Sequence, residues 1–283
     1  MTNVQDFKFS QQRRVGFGAH FQIVLCLINY CLSNQIRFEV DVQNETYSPP
    51  GQNTWDIVFE QPFKDVDPKV TISDQFSQLP GFTSDYWHLG YPSSEREKFK
   101  DRAFIKKYRR ICKNHISIKP DIAKQIKMSI KDKSINDALR TGKVLGIHKR
   151  GREHLTTGHA SNQEQLLTNE SVFSLIDSEI DKYDFLFLTS DEYKTYCEFK
   201  NKYGEKLIIF DDKSQYVESK VDINYLPKSD AEKIQSLIDL ITEVIILSKC
   251  DKMYLMNSNV SHMALFFAKH YKFEFYDEHL IYN

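Results

Sequence analysis

A basic loop that follows an apolar run is the part of this sequence most suited to chemistry. Residues 144–147 are apolar and predict a strand, and the run HKRGR follows at 148–152. Cationic loops at the carboxyl ends of strands bind phosphorylated ligands in open α/β sheets. A guanidinium such as that of Arg150 can bind a diphosphate through two parallel hydrogen bonds, and it stabilises the charge that grows on a departing diphosphate. The loop therefore predicts an enzyme that handles a nucleotide or a nucleotide-sugar, with a solvated basic turn as the alternative.

Polar residues also follow the next apolar run, FLFL at 185–188. Thr189, Ser190, Asp191 and Glu192 come directly after it. In a parallel sheet they would lie at the same edge as His148, where Asp191 can orient a cation or a sugar hydroxyl. The alternative is structural, with Ser190 or Asp191 as the N-cap of the following helix.

A third candidate region combines a carboxylate pair with a polar turn. Asp239 and Glu243 are four residues apart on one face of a predicted helix. A carboxylate placed there can accept two hydrogen bonds from a guanine edge. Further on, Ser258 and Asn259 precede a helix whose first N–H groups suit a phosphate. The alternatives are a surface carboxylate pair and a simple N-cap.

Three weaker features complete the candidates. Gly16 and Gly18 open a long apolar helix and would let its N–H groups approach a phosphate or a substrate, although a simple loop-to-helix turn is the alternative. His154 and His159 flank the sequence TTG and can act as acid or base. A DVD triplet at 65–67 is interpreted as a surface loop, and no metal site is predicted.

Composition limits the classes of partner and the compartment. The 38 basic and 39 acidic side chains give a net charge of −1, which is atypical of proteins that bind nucleic acids or anionic membranes over their whole surface. Five cysteines without CxxC spacing favour reduced thiols. Neither a signal-peptide core nor an apolar stretch of about 20 residues is present. We therefore predict a cytoplasmic protein without an integral membrane segment, and a lipid-linked acceptor would bring it to the inner membrane face.

Periodicity divides the chain near residue 140. A long apolar helix at about 19–32 and a strand at 36–42 are followed by irregular residues 60–92 and by charged helices over 94–140, with a break near Pro120. From residue 144 strands and helices alternate, which predicts a parallel, Rossmann-like sheet. The predicted domains are 1–140, an N-terminal acceptor-side α/β domain, and 141–283, a C-terminal domain that binds the nucleotide-sugar.

Four ordered motifs resemble one family. They are VGFGAHFQIVLCLINYCLSNQIRFEV with Trp55 and Phe59, GIHKRG, FLFLTSDE, and the block from Glu243 to Val260. Together they resemble the α1,6-fucosyltransferases, including the Nod-factor and core fucosyltransferases, and more distantly the α1,2- and protein O-fucosyltransferases. The resemblance implies a GT-B-like α/β fold with two Rossmann-like domains facing a central cleft.

The resemblance also implies a reaction and a set of roles. The family inverts the anomeric centre, needs no metal or other cofactor, and uses GDP-fucose as donor. By position, the resemblance assigns the β-phosphate contact to Arg150, a nucleoside contact to His148, guanine recognition to Glu243, the phosphate-binding turn to Ser258 and Asn259, and the acidic pair to Asp191 and Glu192. Asp239, Gly16 and Gly18 complete the predicted donor site.

The sequence departs from the family pattern where catalysis is expected. Gly151 stands at the second arginine of the pattern, and Arg152 follows one residue later as its substitute. The acceptor base is open among Glu153, His154 and His159. The predicted function is the transfer of fucose to a glycan acceptor such as a surface glycan precursor or a lipo-oligosaccharide. The alternatives are another nucleotide-sugar donor and an inactive glycan- or nucleotide-binding homologue.

Overall fold

The computed structural model describes residues 6–12, 16–73, 76–79, 81–82, 97–132, 135–150, 168–210 and 228–276. The chain divides into two compact units. Unit 1 comprises Met1–Gln125, Lys228–Leu240 and Leu265–Phe267, and unit 2 comprises Ile126–Pro227, Ile241–Ala264 and Ala268–Asn283. The change near residue 140 that the sequence predicts falls inside unit 2, and the chain returns to unit 1 twice after it.

Unit 1 is built around a parallel sheet. Within the described residues this sheet contains β1 (Phe7–Gln12), β2 (Phe38–Gln43) and β3 (Val70–Ile72) in the order β2-β1-β3. Helix α1 (Phe17–Asn34) connects β1 to β2 and is buried along most of its length. The predicted helix and the predicted strand at 36–42 are confirmed. The sequence does not predict β1, although Phe7 and Phe9 alternate and are fully buried.

Aromatic side chains form the core of unit 1. Trp55 and Phe59 lie at the two ends of a short helical turn, α2 (Trp55–Val58), with ring centroids 4.8 Å apart. Phe17 and Phe21 from the start of α1 stack on the same Trp55 ring. The indole N–H of Trp55 donates to the Glu60 carbonyl at 3.1 Å. The turn therefore fixes the first residues of α1 through aromatic packing.

Charged helices connect the two sheets in sequence. They are α3 (Arg102–His115), α4 (Pro120–Asp132) and α5 (Ile135–Thr141). The predicted break is confirmed, because α4 begins at Pro120, where the missing N–H of proline costs nothing.

Unit 2 contains the second parallel sheet. Within the described residues its strands lie in the order β6-β5-β4-β7-β8. This order reverses direction between β4 and β7, the position at which doubly wound sheets form a ligand crevice. The alternation predicted from residue 144 onwards is confirmed by β4 (Val144–Lys149), α6 (Asn169–Asp177), β5 (Phe185–Ser190), α7 (Tyr193–Tyr203), β6 (Leu207–Ile209), α8 (Asp230–Leu247), β7 (Lys252–Leu255), α9 (Asn259–Phe267) and β8 (Phe273–Phe275).

The central strand β4 packs on both faces. Leu145 and Ile147 belong to an apolar cluster that includes residues of α6 and α7. Gly146 points to the other face, where an added Cβ would lie 2.7 Å from a Leu247 methyl and 2.8 Å from the Cys250 sulfur. Glycine is therefore needed there for the end of α8 to approach the sheet closely.

No helix of the described residues is long and apolar enough to cross a membrane. The five cysteines are free thiols, and only Cys197 is partly exposed.

Candidate functional site

His148 lies at the carboxyl end of β4 beside the start of α9. Its ring Nδ1 is 2.9 Å from Ser261 Oγ and 3.3 Å from Ser258 Oγ, and the side chain is almost fully buried. The Tyr276 hydroxyl donates to the His148 carbonyl at 2.9 Å. These contacts fix the imidazole where the strand order reverses, which is the predicted edge of the sheet.

Ser258 is the N-cap of α9. Its hydroxyl accepts from the Ser261 N–H at 3.2 Å, and Asn259 is the first helical residue. The N-cap alternative is therefore correct for Ser258. Capping leaves the positive end of the helix dipole at this edge, so the turn still favours an anion.

Arg150 follows β4 directly and borders solvent. Its backbone N–H donates to the Met256 sulfur at 3.1 Å, which fixes the residue beside the end of β7. Its Nε is 3.8 Å from Asp191 Oδ2, and both side chains are about one-third exposed. An ion pair with this separation and exposure is weak.

Lys149 points to the opposite face of the sheet and is 3% exposed. Its Nζ is 3.2 Å from Glu192 Oε2 and 3.1 Å from Thr195 Oγ1. The Thr195 hydroxyl also lies 2.6 Å from Glu192 Oε2. Glu192 therefore serves as the partner of a buried lysine in this structure. An adjoining polar pocket of about 250 Å³ is lined by Lys149, Thr168, Asn169, Glu170, Glu192, Lys194 and Glu198.

The turn after β5 is held by side-chain hydrogen bonds. The Tyr196 hydroxyl accepts from the Ser190 N–H at 2.8 Å and donates to the Ser190 carbonyl at 2.9 Å. The Ser190 hydroxyl accepts from the Glu192 N–H at 3.1 Å. Glu192 occupies the N-cap position of α7, so the interpretation of Ser190 or Asp191 as the N-cap is wrong.

The two carboxylates of α8 differ in environment. Glu243 is 3% exposed, and its Oε2 accepts from the Thr189 hydroxyl at 2.8 Å at the end of β5. Asp239 is half-buried, and its Oδ1 accepts from the Gln235 amide at 2.8 Å. The alternative of a surface carboxylate pair is therefore wrong for Glu243. Glu243 belongs to unit 2, whereas Asp239 belongs to unit 1.

In unit 1, a buried network lies close in sequence to the two glycines of the predicted site. Gly16 precedes α1, and Gly18 is buried in its first turn. His20 Nδ1 is 2.7 Å from Gln11 Oε1, and His20 Nε2 is 3.1 Å from the Asn44 amide nitrogen. This arrangement places the imidazole proton on Nδ1 and joins the ends of β1 and β2 to α1.

The catalytic candidates Glu153, His154 and His159, together with Arg152, lie outside the described residues. Within the described residues, no group of three His, Cys, Asp or Glu side chains is arranged to hold a metal ion. Asp67 of the DVD triplet pairs with the exposed Lys69, which supports its interpretation as a surface loop.

Several site residues are not predicted by the sequence motifs. Strand alternation alone places Lys149 on the face opposite His148. Because both faces of the central strand are packed, a lysine there is expected to have a buried partner. The remaining ones are recognisable only from the folded chain, and they are Thr195, Tyr196, Ser261 and Tyr276.

His262 is a buried neutral base next to His148. It is fully buried in α9, and its ring lies edge-on to Phe275 with centroids 5.9 Å apart. Burial lowers the pKa of His262 to about 3, and repulsion from a protonated His148 contributes to the shift. The imidazole is therefore neutral at pH 7.

Solved structures that share this fold include fucosyltransferases. The fucosyltransferase NodZ from Bradyrhizobium matches with a TM-score of 0.54 at 14% identity, covering 92% of each chain. A NodZ α1,6-fucosyltransferase soaked with GDP-fucose matches with a TM-score of 0.54 at 15% identity, covering 93% of each chain. An Arabidopsis thaliana FUT1 mutant in complex with GDP matches with a TM-score of 0.50 at 11% identity, covering 92% of this chain and 68% of that chain.

The chain therefore has the fold of the fucosyltransferases, which confirms the resemblance at the level of fold and the predicted α/β class. No family model and no curated protein matches the sequence.

The Lys149–Glu192 contact is expected to stabilise unit 2. Lys149→Met leaves the Glu192 carboxylate without its cation, so we expect a loss of about 2–4 kcal/mol in the free energy of unfolding, measured in urea. Adding Glu192→Gln should recover part of this loss, giving a coupling energy of at least about 1 kcal/mol.

A matched control is Lys252→Met, because Lys252 pairs with Glu179 at 2.6 Å but is more exposed, at 22%. Lys252→Met should lower the free energy of unfolding by less than Lys149→Met does. Equal losses for the two lysines would contradict a special contribution from the buried Lys149.

Acid is expected to weaken the fold through His262. The unfolded residue gains its proton near pH 6.5 and the folded residue only near pH 3. Between these values the unfolded state binds one more proton, so the free energy of unfolding falls as the pH falls, by up to about 1.4 kcal/mol per pH unit. Urea unfolding from pH 7 to pH 4 should show a shallower dependence for His262→Gln. An unchanged dependence would contradict the buried neutral imidazole.

Proposed function

We propose that this protein is an inverting glycosyltransferase that moves L-fucose from GDP-fucose to a hydroxyl group of a glycan, without a metal ion. The observation that supports it best is the position of Arg150. It follows the central strand of a doubly wound sheet and remains partly exposed beside the buried residues that fix the sheet edge. GDP or GDP-fucose was present in neighbours that share the fold.

In the proposed reaction, a base removes the proton of the acceptor hydroxyl, and the oxygen attacks the anomeric carbon. The bond from that carbon to the β-phosphate oxygen breaks, and GDP leaves with the bonding electrons. Arg150 stabilises the charge that grows on the β-phosphate, with the α9 N-terminus at Ser258 as a second positive group. Glu153, His154 and His159 are the candidate bases.

Glu243 is proposed to recognise guanine. Its carboxylate lies at the end of β5, and Thr189 donates to Oε2. A carboxylate has further acceptor positions, which can receive the N1–H and N2–H of guanine. The hydrogen bond from Thr189 fixes the orientation that such a bidentate contact requires.

The proposed acceptor is a surface glycan precursor or a lipo-oligosaccharide, and the proposed location is the cytoplasm. A lipid-linked acceptor would be met at the inner face of the membrane. Incubation with GDP-fucose and acceptors ending in galactose, N-acetylglucosamine or N-acetylgalactosamine tests the acceptor class directly.

Removing the Arg150 guanidinium should abolish most transfer. We expect kcat/KM for GDP-fucose to fall at least about 100-fold in Arg150→Ala, because the leaving-group charge loses its fixed cation. The melting temperature should stay close to that of the wild type, since the Arg150 side chain is about one-third exposed and truncation to alanine buries no new group. Arg140→Ala is the matched control, because Arg140 is 71% exposed on α5. Transfer near the wild-type rate in Arg150→Ala would contradict the mechanism.

The guanine contact predicts a base preference that calorimetry can measure. The wild type should bind GDP at least about tenfold more tightly than inosine diphosphate, which lacks the N2 amine, and should bind UDP weakly. Glu243→Gln keeps an oxygen for the Thr189 hydroxyl but loses the second anionic acceptor, so the preference for GDP over inosine diphosphate should disappear. Tighter binding of UDP than of GDP by the wild type would instead favour another nucleotide-sugar donor.

A further inference from the structure

Helix α3 (Arg102–His115) concentrates positive charge in a chain whose net charge is −1. Its fourteen residues include six arginines and lysines and no aspartate or glutamate. The six cations are Arg102, Lys106, Lys107, Arg109, Arg110 and Lys113.

One side of α3 is fixed to unit 1 by apolar packing. Ile105, Tyr108, Ile111 and Cys112 are buried, and the Tyr108 ring lies 5.8 Å from that of Phe266. The buried side chains recur at helical spacing and occupy the apolar face completely. The helix is therefore held as a rigid element, and its apolar face is not available to a partner.

The other side of α3 is a row of cations. Arg102, Lys106, Arg110 and Lys113 are exposed and follow one another at intervals of four, four and three residues. This spacing places them along one face over about 16 Å. Within the described residues, Lys106, Arg110 and Lys113 form no ion pair with an acidic side chain. We call Lys106, Arg110 and Lys113 the α3 basic row.

Two exposed lysines of unit 2 are arranged differently. Lys202 lies 2.8 Å from Asp177, and Lys182 lies 3.7 Å from Glu179. Local carboxylates therefore compensate those lysines, whereas the field of the α3 basic row extends into solvent. Salt screens charges beyond about 8–10 Å. An anionic surface that faces α3 is therefore attracted by this row and is not affected by the net charge of the chain.

The chemistry of the row selects among anionic partners. A protein that binds a helix in a groove would need the apolar face of α3, which is already packed. Single-stranded nucleic acid would be expected to meet exposed aromatic side chains among the cations, whereas the aromatic residues of α3 are half-buried at Phe104 and buried at Tyr108. A straight row of flexible cations on a rigid helix is well suited to a plane of anionic headgroups.

We propose that the α3 basic row is a docking surface for an anionic lipid bilayer. The attraction is electrostatic and involves no insertion of the helix, since its apolar side chains remain in unit 1. This role is independent of the donor site and is compatible with the lipid-linked acceptor proposed above, because docking would concentrate the enzyme where such an acceptor is held.

Vesicle sedimentation with the full-length chain tests the proposal without donor or acceptor. The wild type should bind vesicles containing about one-third phosphatidylglycerol and should not bind pure phosphatidylcholine vesicles. Raising the salt from about 50 mM to about 500 mM should release it. The triple variant Lys106→Gln, Arg110→Gln, Lys113→Gln should bind on the order of 100-fold more weakly.

The matched control removes three exposed lysines of unit 2 with Lys182→Gln, Lys202→Gln and Lys206→Gln. It changes the net charge equally and should leave vesicle binding within about threefold of the wild type. Equal weakening by the two triple variants would overturn the proposal, because net charge would then explain the binding. Wild-type binding that does not depend on the phosphatidylglycerol in the vesicles would also overturn the proposal. Tighter binding to a polyanion such as heparin than to the vesicles would overturn it as well. Loss of fucose transfer with intact vesicle binding would reject only the proposed reaction.

Discussion

The central strand β4 ends in polar side chains that are almost fully buried, and its neighbours must supply a partner for each of them. An unpaired buried polar group costs several times what a hydrogen bond contributes, and an unpaired charge costs more. Ser261 from α9 meets His148, while Glu192 and Thr195 from the region of α7 meet Lys149. The positions of these two helix starts are therefore constrained by the end of a single strand.

Strand alternation assigns three consecutive residues to three environments. His148 and Lys149 point to opposite faces, so each enters a separate buried network. Arg150 lies beyond the last residue of β4, where the sheet no longer covers it, and it remains partly exposed. The buried pair gives rigidity, and in the proposed function the partly exposed guanidinium is accessible to the donor phosphate. A fixed cation that needs little reorganisation is what stabilisation of a leaving group requires.

Much of the fold can be predicted from the sequence, because apolar runs such as 144–147 and the helical period of α8 are strong local signals. Strand β1 escapes prediction because four of the six residues of FKFSQQ are polar, and Phe7 and Phe9 become buried only in the folded sheet. The site is less predictable. Glu243 and Thr189 are far apart in sequence, and a motif specifies spacing but not which distant hydroxyl a carboxylate will meet. Such pairings are decided by tertiary packing.

The near-neutral net charge of the chain does not show how unevenly its charges are distributed. The total of −1 argues against proteins that attract polyanions over their whole surface. That argument holds for α7, where Lys194 pairs with Glu198 and Lys202 pairs with Asp177. It does not hold for α3, where six cations occur without an acidic residue. Electrostatic attraction in salt depends on the charges within about one screening length of the partner. A chain with a pI near 6.8 can therefore present a strongly basic face, provided that the compensating carboxylates lie elsewhere.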